Sequence, residues 1–155
     1  MNREPGYQGQ VPLVTTPPEA VIIHCSDYRF QAAIHEFLQA ELELRSYDVL
    51  AVPGGPHFAS ASDWLPKHFT VGKQNLRFLI EFHQLKRLIL IDHSDCAFFK
   101  HRLAFFFSEP SMNDKQIANL RKARRVVQDW FPTLMVGAYF AEAPGTEPVR
   151  FIKIT

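Results

Sequence analysis

The chain reads as an α/β domain: a mainly parallel four-stranded sheet with helices on both faces and a C-terminal antiparallel edge strand. Three observations predict it. Two short runs, Ala20-Val21-Ile22-Ile23 and Leu88-Ile89-Leu90-Ile91, have the length and unbroken apolarity of strands buried on both faces. Segments with apolar residues at helical spacing alternate with such runs, the pattern that builds a parallel sheet covered by helices. The last apolar run follows Pro144-Gly145 too closely for a crossover helix, so it must return antiparallel.

Along the chain, residues 1–19 hold Pro5, Pro12, Pro17 and Pro18, which block regular structure, and are expected to form an extended arm. The remainder, 20–155, is expected to fold as a single domain. Ala20 to Cys25 is the first strand. Ile34, Phe37, Leu38 and Leu42 recur at helical spacing between polar residues, predicting an amphipathic helix from Phe30 to Arg45. Tyr47 to Val52 makes a second strand, stopped by Pro53-Gly54-Gly55-Pro56. Leu76, Leu79 and Ile80 mark a helix over Val71 to Gln84 that leads into a third strand, Arg87 to Asp92. Ala97 to Pro110 holds Phe98, Phe99, Phe105, Phe106 and Phe107. Asn113 or Asp114 is placed to cap the next helix, with Ile117, Leu120, Ala123, Val127 and Trp130 facing inward. Thr133 to Ala141 and Val149 to Ile154 complete the order β-α-β-α-β-α-β-β.

A length of 155 residues suits one domain, and 46% hydrophobic with 21% charged residues excludes a disordered or low-complexity chain. A net charge of +1 provides no basic field for nucleic acid, and Arg121, Lys122, Arg124 and Arg125 fall on a predicted helix where such runs are a solvated face. No apolar run approaches a membrane span, and the first eighteen residues lack a signal-peptide core, so a cytoplasmic location is expected. In that reducing compartment the two cysteines read as thiols or metal ligands rather than a disulfide. Phenylalanine is abundant, fourteen residues, which fits either an aromatic core or a partly aromatic subunit interface.

Both cysteines lie at predicted strand ends, in Cys25-Ser26-Asp27-Tyr28-Arg29 and His93-Ser94-Asp95-Cys96. If the two strands are parallel neighbours, these motifs share the sheet edge where ligands collect. Cys25, His93 and Cys96 then supply two sulfurs and an imidazole, a donor set suited to one Zn²⁺ per chain with a fourth position left for water. Residues two apart on an extended segment project to the same side, so Asp27 and Arg29 share the face of Cys25. Asp27 is either a fourth ligand, closing the site, or a base beside a zinc-bound water. A guanidinium pairing bidentately with Asp27 would hold it off the metal. Two thiolates neutralise the zinc charge and acidify its water less than three histidines would, so a neighbouring carboxylate to take the proton is useful.

Rival motifs fail on spacing. His24-Cys25 followed by an arginine is similar to the start of a tyrosine phosphatase loop, but three residues rather than five separate Cys25 from Arg29, and the interval carries Asp27 and no glycine. Gly54-Gly55 lacks both the dinucleotide fingerprint and a phosphate-loop lysine. His24, His35, His57, His68, His83 and His101 read as surface or packing residues.

The paired motifs Cys-x-Asp-x-Arg and His-x-x-Cys resemble those of β-class carbonic anhydrases over residues 20–155, as a short and divergent member. The resemblance implies zinc on Cys25, His93 and Cys96, an Asp27-Arg29 dyad, and reversible hydration of CO2 to bicarbonate by zinc-bound hydroxide. It also implies a homodimer or higher homo-oligomer, with no nucleic acid or membrane partner. Two departures are visible. Ala51-Val52-Pro53-Gly54-Gly55 stands where the family has an Arg-Asn-Ala-Gly-Asn-like loop, and Ala97 stands where glycine is common. Tyr28, Val52, Gly54, Gly55, Ala97 and Phe98 are the substrate-pocket candidates by their positions beside the motifs. Alternatives on the same fold are hydrolysis of a linear CO2 analogue, carbon disulfide or carbonyl sulfide, and a non-catalytic zinc-binding interaction module.

Overall fold

Unbroken apolarity puts the two runs singled out above at the centre of the sheet. β1 (Ala20–Cys25) and β3 (Arg87–His93) are parallel neighbours, with Val21 opposite Leu88 and His24 opposite Ile91. β2 (Tyr47–Val52) pairs parallel with β1 on its other side, β4 (Met135–Glu142) pairs parallel with β3, and β5 (Arg150–Lys153) runs antiparallel to β4. The computed structural model describes residues 6–102 and 112–155. Among those residues the strand order is β2-β1-β3-β4-β5.

Strand alternation distributes the core between two faces. Val21, Ile23, Leu88 and Leu90 pack with Leu76 and Ile80 of α3 (Pro66–His83) and with Leu120, Ala123 and Val127 of α5 (Met112–Trp130). Ala20, Ile22, Ile89 and Ile91 pack instead with Ile34, Phe37 and Leu38 of α1 (Gln31–Ala40), where Phe37 also stacks on Phe151 of β5 at 4.1 Å between centroids. Helices therefore cover both faces, as the alternating pattern predicts.

Several element bounds differ from the sequence expectation. α1 stops at Ala40 rather than Arg45: Glu43 takes a left-handed φ of 54° and Leu44 N donates to Leu38 O at 2.9 Å. This turns Leu44 into the core at 2% exposure, a burial worth about 1.5–3 kcal/mol that outweighs one more helical turn. α3 begins at Pro66, five residues before the expected Val71, with proline at the first-turn position its missing N–H tolerates. A short helix, α2 (His57–Ser60), was not expected; all four of its residues are buried. Asn113 and Asp114 lie inside α5 rather than capping it. Phe98 and Phe99 lie on α4 (Ala97–Arg102), whereas Phe105, Phe106 and Phe107 fall outside the described residues.

Residues 6–18 carry no helix or strand, and Pro17 O accepts from Ser46 Oγ at 2.8 Å. No helix among the described residues is long and apolar enough to cross a membrane. The strand order has one consequence for chemistry. From β1 the chain moves outward to β2, then returns past β1 to β3, so successive connections leave β1 in opposite directions. A crevice opens at such a reversal, outside the C-terminal ends of the two strands, and both cysteine motifs end there.

Candidate metal centre

Cys25 is the last residue of β1, and the turn after β2 presses against it. Gly54 and Gly55 take φ of 80° and 51°, a region that disfavours side chains. A Cβ on Gly55 would lie 2.7 Å from Cys25 N and 2.9 Å from His24 C, so only glycine lets the turn approach this closely. A Cβ on Gly54 would run into the Phe98 ring. The close approach brings Gly54 N–H to Cys25 Sγ at 3.4 Å, a contact that favours a thiolate.

His93 ends β3, and three elements hold its backbone. Its N–H donates to Asp92 Oδ1 at 2.8 Å, its carbonyl accepts from Gln116 Nε2 of α5 at 2.7 Å, and the following Ser94 N donates to Ala141 O of β4 at 2.9 Å. His93 Nδ1 is 2.8 Å from Ser94 O, and since a carbonyl can only accept, Nδ1 carries the proton. The lone pair is then on Nε2, which is buried and, among the described residues, has no hydrogen-bond partner. Cys96 precedes α4 and is 1% exposed.

The three side chains offer ligand atoms within 4.8 Å of one another, all buried. Neither cysteine is in a disulfide. Two sulfurs and an orphaned imidazole nitrogen, with the other ring nitrogen tied to a carbonyl, fit the donor chemistry of zinc. A hydrogen bond from Cys96, helped by His93 and Gly54, lowers the Cys25 thiol far below its ordinary value, while the same bond and burial hold the proton on Cys96. Burial works against a charged His93, but its contacts with Cys25 and the Ser94 carbonyl prevail and raise its pKa.

Asp27 and Arg29 meet as a bidentate pair. Arg29 Nε donates to Oδ1 and Oδ2 at 3.0 and 3.2 Å, and Nη2 donates to Oδ2 at 2.7 Å. Asp27 Oδ1 also caps the 3-10 turn Tyr28–Phe30 by accepting from Arg29 N at 3.0 Å. The guanidinium holds the Asp27 carboxyl below the usual carboxylate range. Oδ2 lies 4.0 Å from His93 Nε2, so the carboxylate borders the ligand cluster.

The dyad and Cys25 line a cavity of about 660 Å³ together with Tyr28, Ala97 and Phe98. Two further pocket candidates, Gly54 and Gly55, sit behind Cys25 and beneath Phe98. Val52, although aligned with Cys25 across the β1–β2 pair, lines a different cavity, beside Phe58, His68 and Gly72. Tyr28 is 86% exposed and forms the rim of the cavity rather than a closed wall.

Sequence reading missed several supports. Gln31 Nε2 donates to Cys25 O and Asp27 O at 3.1 and 2.7 Å, fixing the first motif's backbone. His57 Nε2 lies 2.9 Å from Asp92 Oδ2, both side chains being fully buried, which sets α2 beside the residue before His93. Gln116 is a polar residue on the apolar face of α5, a local pattern break that could have drawn attention. Nothing local marked His57, whose partner is 35 residues away.

A family described as "Putative carbonic anhydrase" matches residues 17–149. An uncharacterized protein of Rickettsia conorii is 25% identical over 135 residues, covering 81% of this chain and 68% of its own. Among solved structures, a carbonic anhydrase from Streptococcus mutans superposes with a TM-score of 0.60 at 13% identity, over 95% of this chain and 88% of the other. One from Glaciozyma antarctica gives 0.57 at 20% identity, over 95% and 87%. A β-carbonic anhydrase from Trichomonas vaginalis gives 0.54 at 16%, over 94% and 88%. At these identities the structural likeness establishes the fold.

Proposed function

The chain belongs to this carbonic anhydrase family as a divergent member with the β-class fold, and from that premise we propose that it catalyses the reversible hydration of CO2 to bicarbonate and a proton. The observation that carries the reading is the clustering of Cys25, His93 and Cys96 ligand atoms within 4.8 Å, with the Asp27 carboxylate 4.0 Å from His93 Nε2. Cys25 Sγ, Cys96 Sγ and His93 Nε2 would hold one zinc ion. When bound, zinc supplies Lewis acidity that lowers the pKa of a water toward neutrality.

The remaining work falls to the chain's own groups. Arg29 keeps Asp27 ionised, so its carboxylate accepts a proton instead of donating one. The bidentate grip would hold that carboxylate off the metal and leave Cys25, Cys96 and His93 as the donors. Pro53, Ala97 and Phe98 give CO2 an apolar surface beside these polar groups. Asp27→Ala is expected to retain zinc and lose most CO2 hydration, measured by stopped flow on the zinc-loaded protein. Rates equal to wild type would remove Asp27 from the reaction, and a zinc-loaded wild type without turnover would favour a non-catalytic module.

Assembly from copies of the chain is part of the proposal. Phe78 and Phe82, 62% and 67% exposed, stack on one another along α3 and are apolar surface of the kind interfaces use. Gel filtration should give a dimer or larger; a monomer would contradict this.

A further inference from the structure

Asp95 lies between His93 and Cys96 in sequence, yet its side chain reaches across the crevice to Arg29. Arg29 Nη1 donates to Asp95 Oδ2 at 3.0 Å, and Nη2 donates to the Asp95 carbonyl at 3.2 Å. The adjacent edge of the same guanidinium holds Asp27 through Nε and Nη2. A rigid planar group gripped along two edges cannot swing without breaking bonds on both sides. Lys100 Nζ takes Asp95 Oδ1, leaving Oδ2 for Arg29. The backbone is adapted to the contact as well: Asp95 has φ of 59°, a left-handed conformation uncommon for residues other than glycine, asparagine and aspartate.

We infer that Asp95 is a positioning residue that, by gripping Arg29 from the β3 side, keeps the Asp27 carboxylate turned toward Arg29 and away from the metal position. This rests on the proposed zinc site. Asp27 is carried on a short turn with Oδ2 only 4.0 Å from His93 Nε2, so a small excursion would let it compete as a fourth ligand. Arg29 is itself 43% exposed on its side chain and, anchored to Asp27 alone, could move with it. Asp95 attaches the dyad to a second strand end, 66 residues away in sequence. Open and closed forms of the site then differ by whether this second attachment is made.

The test loads the full-length protein with cobalt and follows its visible absorption during azide titration, which reports access to the metal independently of turnover. Wild-type protein is expected to bind azide. Asp95→Gly suits the left-handed backbone and removes the carboxylate; losing a charged hydrogen bond to Arg29 should weaken azide binding about tenfold. If Asp95 acts by restraining Asp27, the loss disappears in the Asp27→Ala background, where no carboxylate is left to close the site. Should Asp95→Gly fail to fold, Asp95→Asn carries the same comparison in the same direction. Wild-type azide affinity in both Asp95 variants, or a loss that persists without Asp27, would overturn the inference. A wild-type cobalt site that binds azide but a zinc form that hydrates no CO2 would sink the proposed reaction and leave Asp95's role intact. A protein that takes up no cobalt overturns both.

Discussion

Replacing Gly55 by alanine tests how the turn after β2 builds the ligand cluster. The new Cβ would sit 2.7 Å from Cys25 N and 2.9 Å from His24 C, both backbone atoms of a central strand, so no side-chain rotation relieves it. The left-handed φ of 51° adds strain of about 1–2 kcal/mol for a residue with a Cβ. Overpacking against backbone adds about 1–3 kcal/mol, for a total of about 2–5 kcal/mol. At about 2–4 °C per kcal/mol for a chain of this size, the melting temperature should fall by roughly 5–15 °C. Gly145→Ala supplies the control, because its φ of 65° is equally left-handed but nothing lies within 4 Å of the added Cβ. It carries only the backbone strain and should lose about 3–6 °C. Gains from a stiffer unfolded chain are common to both variants and cancel in the comparison. Thermal unfolding followed by circular dichroism reads both shifts. Equal shifts in Gly55→Ala and Gly145→Ala would refute the close approach of the turn to Cys25.

Other perturbations separate structural from metal-binding roles. Removing His57 deletes a fully buried ring packed on Phe99 and 2.9 Å from Asp92 Oδ2, so His57→Ala should cost about 2–5 kcal/mol in a denaturant titration. A loss below about 1 kcal/mol would show the pair contributes nothing to folding. Cys96→Ser and His93→Ala should each leave less than one zinc per chain by elemental analysis, since each deletes one of three clustered ligand atoms. Full zinc occupancy in either would remove that residue from the ligand set.

The centre of the fold was legible because its signals are local. Ala20–Cys25 and Tyr47–Val52 are read from continuous or alternating apolarity bounded by turn residues, and the structure gives both strands those bounds. Helix ends were less legible. α1 was expected to run to Arg45, but burial of Leu44, which no local pattern announces, ends it at Ala40. Pro66 did carry a start signal for α3 that hydrophobic spacing alone passed over. Val52 is near the site loop in sequence, yet it lines another cavity, beside Phe58 and Gly72, because α2 and α3 pack against that end of β2.

By itself the sequence determined the chemical inventory: two thiols, an imidazole, a carboxylate and a guanidinium at the ends of two apolar runs. That inventory is written in short segments, where spacing and residue type are enough. Only the tertiary structure decided that β1 and β3 are parallel neighbours at the reversal of strand order. It also decided which groups support the cluster: Gly55 against Cys25, Gln116 on the His93 carbonyl, His57 beside Asp92, and Asp95 on Arg29. These contacts join residues 23 to 66 positions apart. Their partners are set by how helices and strands pack, and packing is a property of the whole chain that no local pattern carries.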